Sequence, residues 1–154
     1  MDIIFNKIIE LLDSKKIKYE LLEHEPTPTS KDSARVRGTR EDQGAKAILL
    51  RSEGKFILCV LPGNEKIDLN KLRLLISKKS LSLATREEVV KITNCIPGEV
   101  PPFGNIFNTK TYVDKTLLRN EKIAFNAGLT TKSIIMLTKD FLNIVNPIID
   151  DFAQ

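Results

Sequence analysis

The hydrophobic and polar positions in the first forty residues change period twice, and each change predicts a different element. Apolar side chains at three- and four-residue spacing over residues 2–14 predict an amphipathic helix. Alternation over residues 17–21 is typical of a strand, and two prolines in residues 24–30 predict a loop. A short helix over residues 31–36 follows, with Ser30 as its N-terminal cap and Gly38 at its end.

The middle of the chain contains two continuous apolar runs, residues 45–50 and 56–61, on either side of a polar segment that includes Gly54. This pattern predicts a β-hairpin in the core. Asp68 begins a predicted helix that reaches Ser77, residues 81–83 predict a brief strand, and a capping-box pattern at residues 85–88 begins another helix.

The remaining segments complete the predicted architecture. Further strands are expected at residues 111–113, 122–125 and 133–137, and a last helix begins at Thr138 or Asp140. Short strands joined mainly by hairpins, with helices placed irregularly, predict an α+β fold with a mixed sheet. At this length we expect one domain spanning residues 1–154.

Composition narrows the class of protein. The chain has 154 residues, of which 42% are hydrophobic and 29% charged, as in an ordinary globular protein. No apolar run approaches the roughly 18 residues of a membrane-spanning helix, and the N-terminus lacks the basic region of a signal peptide. Two cysteines, one histidine and the absence of a glycine-rich phosphate loop argue against disulfide, metal and nucleotide sites. We therefore expect a cytoplasmic protein with no metal, no cofactor and no membrane partner.

The charge distribution gives a weaker indication of partner. The formal net charge is +4, and basic side chains outnumber acidic ones within residues 66–91. A basic surface can bind phosphates, but solvated helix faces have the same composition. Charge alone leaves both interpretations open.

Two features carry candidate chemistry. Lys46 lies within an apolar strand between two alanines, where an ammonium group is costly unless it is paired or faces a cleft. From the pattern alone, a solvent-facing lysine on an edge strand is the more common explanation. Residues 95–104 contain three prolines and two glycines, which predicts a stiff loop where Gly98 allows close approach of a ligand. His24 and Cys95 have no partners in sequence with which to assemble a nucleophilic triad or dyad.

At these same residues the chain resembles the YbaK family, the editing domains associated with prolyl-tRNA synthetase and their free-standing relatives. The resemblance rests on several blocks in the same order, which together extend from about residue 3 to residue 145. The blocks are residues 44–50, 56–63, 67–72, 83–88, 98–104 and 125–128.

The resemblance implies a mixed, partly barrel-like β core with surrounding helices, and an aminoacyl-tRNA deacylase that acts in trans on mischarged tRNA. The expected substrate carries a small amino acid such as Ala, Ser, Thr or Cys, and the expected partners are the tRNA acceptor end and a synthetase that delivers it. The catalytic positions that it implies are Lys46 and Gly98. The substrate-binding positions are Pro101, Pro102, Phe103, Gly104, Asn126, Ala127, Gly128, Thr29, Arg35 and Arg37. The alternative is a catalytically silent module of the same fold that binds tRNA or a synthetase.

Overall fold

The computed structural model describes residues 2–154, which form helices and strands in an irregular order. The helices are α1 (Ile3–Ser14), α2 (Ser30–Arg37), α3 (Leu69–Leu75), α4 (Arg86–Thr93) and α5 (Thr138–Val145). The strands are β1 (Tyr19–Glu23), β2 (Ala45–Ser52), β3 (Lys55–Pro62), β4 (Ser82–Leu83), β5 (Lys110–Asp114), β6 (Lys122–Leu129), β7 (Lys132–Leu137) and β8 (Ile148–Asp150). Short 3-10 helices cover Glu41–Gln43, Gly104–Phe107 and Lys115–Arg119.

The strands form two sheets. One has the antiparallel order β1-β7-β6, and the other has the order β4-β2-β3-β5-β8, in which β5 runs parallel to both β3 and β8. A single parallel bridge between Gly44 and Ala124 joins the start of β2 to β6. The α+β fold with a mixed sheet is therefore confirmed, and within residues 2–154 the strands form two open sheets rather than a closed barrel.

The hairpin that carries Lys46 is tighter than the sequence predicts. Ser52 pairs with Lys55, so the turn consists of Glu53 and Gly54, both with positive φ (53° and 80°). Such a turn matches the twist of the flanking strands, which allows both strands to continue to the turn itself. The register then pairs Lys46 with Leu61 in the half of β2 that is only partly buried.

Strand β3 is buried on both faces and separates two apolar clusters. Leu58 and Val60 belong to the larger cluster with α1, β6 and β7, whereas Cys59 and Leu61 belong to the smaller one with Phe152. Because strand side chains alternate, a central strand with both faces covered has a continuous apolar sequence. This is the reason that residues 56–61 carry no polar alternation.

Most predicted elements are present, but several of their boundaries differ. Strand β1 begins at Tyr19 and continues to Glu23, and α3 ends at Leu75. The N-terminal cap of α2 is Thr29 rather than Ser30, since its hydroxyl accepts a hydrogen bond from the Asp32 N–H at 3.1 Å. Strand β8 was not predicted. The Thr85–Glu88 capping box and the start of α5 at Thr138 are confirmed.

Candidate active site

A cleft of about 190 Å³ lies where the loop before α2, the start of β2, the loop after α4 and β6 meet. We call it the Lys46 cleft. Its wall contains both hydroxyl groups and small apolar side chains. The lining residues are Thr27, Pro28, Thr29, Ser30, Ser33, Arg37, Gly44, Ala45, Lys46, Ala47, Ile48, Gly63, Gly98, Val100 and Asn126.

Lys46 is partly buried in this cleft, where its ammonium group makes fewer hydrogen bonds than it has donors. Nζ donates one hydrogen bond, to the Gly63 carbonyl oxygen at 3.2 Å, and an ammonium has three donors. Burial lowers the pKa of Lys46, the carboxylates of Glu41 and Glu65 oppose that effect, and the charge of Lys66 adds to it. The geometry therefore presents a cation with free donors to whatever occupies the cleft.

Gly63 is a glycine because the backbone there is tightly enclosed. A Cβ at this position would lie 2.8 Å from the Glu41 carbonyl oxygen and 3.1 Å from Ser30 Cβ. Its N–H donates to the Gly44 carbonyl at 2.8 Å, which extends the β2–β3 pairing past Pro62. This close approach fixes the carbonyl that holds Lys46.

Gly98 lines the same cleft, in a turn formed by residues 96–99, which we call the Gly98 turn. The Glu99 N–H donates to the Ile96 carbonyl at 3.0 Å, and Gly98 has φ of +94° at the third position. Proline followed by glycine is the preferred sequence for a turn with this backbone. Since a Cβ at Gly98 would meet nothing within 4 Å, the glycine is needed here for its conformation.

A chain of hydrogen bonds holds the Gly98 turn from behind. Asn126 Nδ2 donates to the Gly98 carbonyl at 2.6 Å, and Asn126 Oδ1 accepts from Arg37 Nη2 at 2.9 Å. Arg37 Nε also donates to Ser133 Oγ at 2.8 Å, and that oxygen lies 2.7 Å from His24 Nε2. Burial lowers the pKa of Arg37 to about 10. The guanidinium group is held by uncharged oxygens, since neither of its hydrogen-bond acceptors is a carboxylate.

Sequence reasoning missed Ser133 and the contact that His24 makes with it. The two residues are 109 positions apart, and no local pattern marks either one. Only the pairing of β1 with β7, which places Glu23 beside Lys132, brings the neighbouring residues together.

The structure separates the predicted site residues into three groups. Lys46, Gly98, Asn126, Thr29 and Arg37 line the cleft. Arg35 is exposed on α2, where its nearest acidic partner is Asp32 at 3.9 Å. The other predicted residues are buried and do not line the cleft. They are Pro101, Pro102, Phe103, Gly104, Ala127 and Gly128.

The buried group supports the cleft from the core. Phe103 packs edge-to-face against Phe125 and Phe141, with ring centroids 5.3 and 5.5 Å apart. The Gly104 N–H donates to Thr111 Oγ1 at 3.0 Å, and a Cβ there would lie 2.7 Å from the Thr109 carbonyl oxygen. These contacts fix the loop that follows the Gly98 turn.

Neither cysteine is placed to act as a nucleophile. Cys95 is 4% exposed, and burial, followed by the charge of Glu99, raises the pKa of its thiol to about 11. Burial also raises the pKa of Cys59, which is fully buried. Because the thiolate is the reactive form, both groups are unreactive near neutral pH. Within residues 2–154 no three His, Cys, Asp or Glu side chains are grouped as metal ligands, and no helix could cross a membrane.

Known proteins resemble this chain over nearly its full length. It is 33% identical over 153 residues to the multifunctional Ser/Thr-tRNA deacylase ProXp-y of Escherichia coli (strain K12), which covers 96% of this chain and 92% of the relative. It is 29% identical over 145 residues to the prolyl-tRNA editing protein ProX of Acetoanaerobium sticklandii, covering 90% of this chain and 88% of the relative.

Solved structures agree at the level of the fold. A crystal structure provisionally assigned as a trans-editing enzyme for prolyl tRNA synthetase superposes with a TM-score of 0.87 at 23% identity. The match covers 100% of this chain and 99% of the other. Residues 24–144, which include the Lys46 cleft, match the sequence profile described as the aminoacyl-tRNA editing domain. The chain belongs to the aminoacyl-tRNA editing domain family.

Proposed function

We propose that this protein is a free-standing aminoacyl-tRNA deacylase, which acts in trans and hydrolyses the ester that joins a small amino acid to the terminal ribose of tRNA. The observation that carries the proposal is the placement of Lys46, with free N–H donors, in one cleft with the Gly98 turn. Family membership and the similarity to a Ser/Thr-tRNA deacylase over almost the whole chain support it. The acceptor end of charged tRNA is then the partner, and a synthetase that delivers the tRNA is a further proposed partner.

The chemistry needs no nucleophilic side chain, because an aminoacyl ester is already activated. A water molecule attacks the acyl carbon, the carbonyl oxygen gains negative charge, and the ester bond to the ribose oxygen breaks. The ribose oxygen takes up the proton that the water gives up. Lys46 donates a hydrogen bond to the oxygen on which charge develops, which is where a preorganised donor accelerates ester hydrolysis. The Gly98 turn limits where the ester can lie relative to Lys46.

A deacylation panel tests this function. The protein is incubated with tRNAs that carry labelled Ala, Ser, Thr, Cys or Pro, and the remaining ester is measured over time. Clearance of one or two esters above the spontaneous rate supports the proposal. Binding of tRNA without clearance of any ester favours the catalytically silent module instead.

The wall of the cleft favours an amino acid that carries a hydroxyl group. Thr27 Oγ1 and Ser33 Oγ lie 2.7 Å apart, both residues are buried, and both line the cleft. One hydroxyl donates to the other, so the second keeps a hydrogen atom with no acceptor in the described structure. A buried donor of this kind is costly unless water or a ligand in the cleft accepts from it. We therefore propose seryl and threonyl esters as the preferred substrates, consistent with the activity for which the Escherichia coli relative is named.

A double variant, Thr27→Val with Ser33→Ala, replaces both hydroxyls by apolar groups. It is expected to slow clearance of seryl and threonyl esters by about 10-fold, which corresponds to the loss of one hydrogen bond. Clearance of the alanyl ester is expected to stay the same or rise, so it serves as the internal control. The measurement is kcat/KM for each ester. An equal loss for all three esters would contradict selection by these hydroxyls.

The charges around Lys46 predict opposite effects of two neighbouring substitutions. Glu65→Gln removes a carboxylate that stabilises the ammonium and should lower the pKa of Lys46, whereas Lys66→Gln removes a repulsion and should raise it. The alkaline limb of the kcat/KM profile, corrected for spontaneous hydrolysis, should move down in pH for the first variant and up for the second. Shifts in the same direction would show that Lys46 does not determine that limb.

A further inference from the structure

His24 lies at the end of the hydrogen-bond chain, and its contacts select one tautomer of the neutral ring. Its Nδ1 lies 2.8 Å from the Glu25 carbonyl oxygen, and its backbone N–H donates to the Thr131 carbonyl at 3.0 Å. A carbonyl oxygen can only accept, so Nδ1 carries the ring proton. In the neutral ring Nε2 is then an acceptor, and the group 2.7 Å from it, the Ser133 hydroxyl, is its donor.

This assignment fixes the other bonds of Ser133. The hydroxyl has one proton, and it is used on His24, so the lone pairs of Oγ are available to Arg37 Nε at 2.8 Å. The next acceptor in reach of the proton is Asn126 Oδ1 at 3.5 Å, which already accepts from Arg37 Nη2 at 2.9 Å. Ser133 is fully buried and does not line the cleft, so it positions other groups and does not attack the ester.

We infer that His24 is a positioning residue of the deacylation site, which it serves as the neutral ring protonated on Nδ1. The inference rests on the proposed function. His24 orients Ser133, Ser133 and Asn126 hold the Arg37 guanidinium, and Asn126 holds the carbonyl of the Gly98 turn at 2.6 Å. The substrate-facing turn is thereby connected to a histidine that does not itself line the cleft.

Protonation of the ring reverses this arrangement. Nε2–H would then donate to Ser133 Oγ, which would have to redirect its own proton while it still faces the donor of Arg37. Two cations would share one hydroxyl oxygen in a buried environment, where such repulsion is strong. Around the ring, the side chain of Glu25 is exposed, and Glu23 and Lys132 pair with each other across β1 and β7 at 3.8 Å. Neither the protonated His24 ring nor the Arg37 guanidinium is hydrogen-bonded to a carboxylate in the described structure.

Two substitutions distinguish positioning from simple packing. His24→Gln keeps an amide oxygen that can accept from Ser133 but cannot be protonated near neutral pH, whereas His24→Phe keeps a ring and removes the acceptor. We expect His24→Phe to lower kcat/KM about 10-fold and His24→Gln to stay within about 3-fold of wild type. Glu20→Gln, on the exposed side of β1, is the matched control with unchanged activity.

The pH profile provides the second readout, measured from about pH 5 to pH 8 with the preferred ester. Wild type should lose activity as the pH falls, and His24→Gln should lose less, since the ammonium of the substrate titrates equally for both. Equal acid limbs in wild type and His24→Gln would overturn the inference. So would a His24→Gln variant as slow as His24→Phe, or two variants that lower Tm but leave kcat/KM unchanged.

A third readout is independent of activity and separates failure of this inference from failure of the proposed function. His24 is the only histidine in the chain, so a nitrogen-15 spectrum of the imidazole reports one tautomer directly. We expect the Nδ1–H form, and we expect the Asn126 side-chain amide signal to shift as the ring is protonated and to stay fixed in His24→Gln. An Nε2–H tautomer would overturn the inference even if no ester is cleared. So would an Asn126 side-chain amide signal that does not shift when the ring is protonated.

Discussion

Lys46→Ala is expected to lower kcat for deacylation by roughly 100- to 1,000-fold, the usual cost of removing a preorganised donor to a developing oxyanion. The side chain lies in the cleft with one hydrogen bond, to the Gly63 carbonyl, so its loss leaves one backbone acceptor without its partner. Arg37 also lines the cleft, but its Nε and Nη2 already donate to Ser133 and Asn126, so it does not take over the position of the Lys46 ammonium. The measurement is single-turnover clearance of the preferred ester.

The controls for this prediction separate charge, geometry and folding. Lys46→Arg keeps the charge but places a planar fork where a compact ammonium was, so it is expected to restore only part of the rate. Lys55→Ala removes an exposed lysine at the start of the next strand and should leave the rate unchanged. If Lys46→Ala clears the ester as fast as wild type and has the Tm of wild type, the proposed mechanism is wrong and Lys46 is structural.

The sequence predicts the fold well where period and composition act locally. The apolar run of residues 56–61 identifies a doubly buried strand, and the capping box at Thr85 identifies the start of α4. It fails at β8, whose Ile148 and Ile149 are both exposed, because an edge strand of three residues has no buried face to create alternation. The strand is defined only by its parallel partner β5.

In the candidate site too, some residues have a local sequence signal and others are brought together only by the fold. Lys46 and Gly98 are candidates from sequence because an ammonium in an apolar strand and a Pro-Gly turn are locally unusual. The local pattern alone favours a solvent-facing lysine, and the catalytic role is what the family resemblance implies. The hydrogen bond between His24 and Ser133 has no local signal, since strand pairing creates it. Phe103 illustrates the opposite difficulty, because a motif does not distinguish a residue that faces the cleft from one that packs behind it.

A buried carboxylate at the end of β5 anchors the C-terminal tail, residues 152–154. Asp114 is fully buried and accepts hydrogen bonds from the N–H groups of Phe152 at 2.7 Å and Ala153 at 2.8 Å, and from both the N–H and the hydroxyl of Thr116. The anchored tail then pairs with the segment after Gly63, where the Asp68 N–H donates to the Phe152 carbonyl at 2.8 Å.

Asp114→Asn is therefore expected to lower the free energy of unfolding by about 2–4 kcal/mol at neutral pH, because several donors lose a charged acceptor and an amide faces them instead. Burial alone would raise the pKa of Asp114, but hydrogen bonds from Thr116, Phe152 and Ala153 outweigh it and the pKa is lowered. A lowered pKa in the folded state contributes stability above the pKa of the unfolded chain and loses it as the pH falls through the folded value. The difference between wild type and variant should be constant near neutral pH and shrink below about pH 4.

Urea unfolding at several pH values measures this difference, with Asp151→Asn as the matched control. Asp151 forms ion pairs with Lys71 and Lys115 at 3.1 and 3.2 Å, but all three side chains are exposed, and exposed pairs contribute little to stability. The control should therefore unfold almost as wild type does. A difference for Asp114→Asn that persists unchanged in acid would mean that the lost stability comes from packing of the amide and not from the charge.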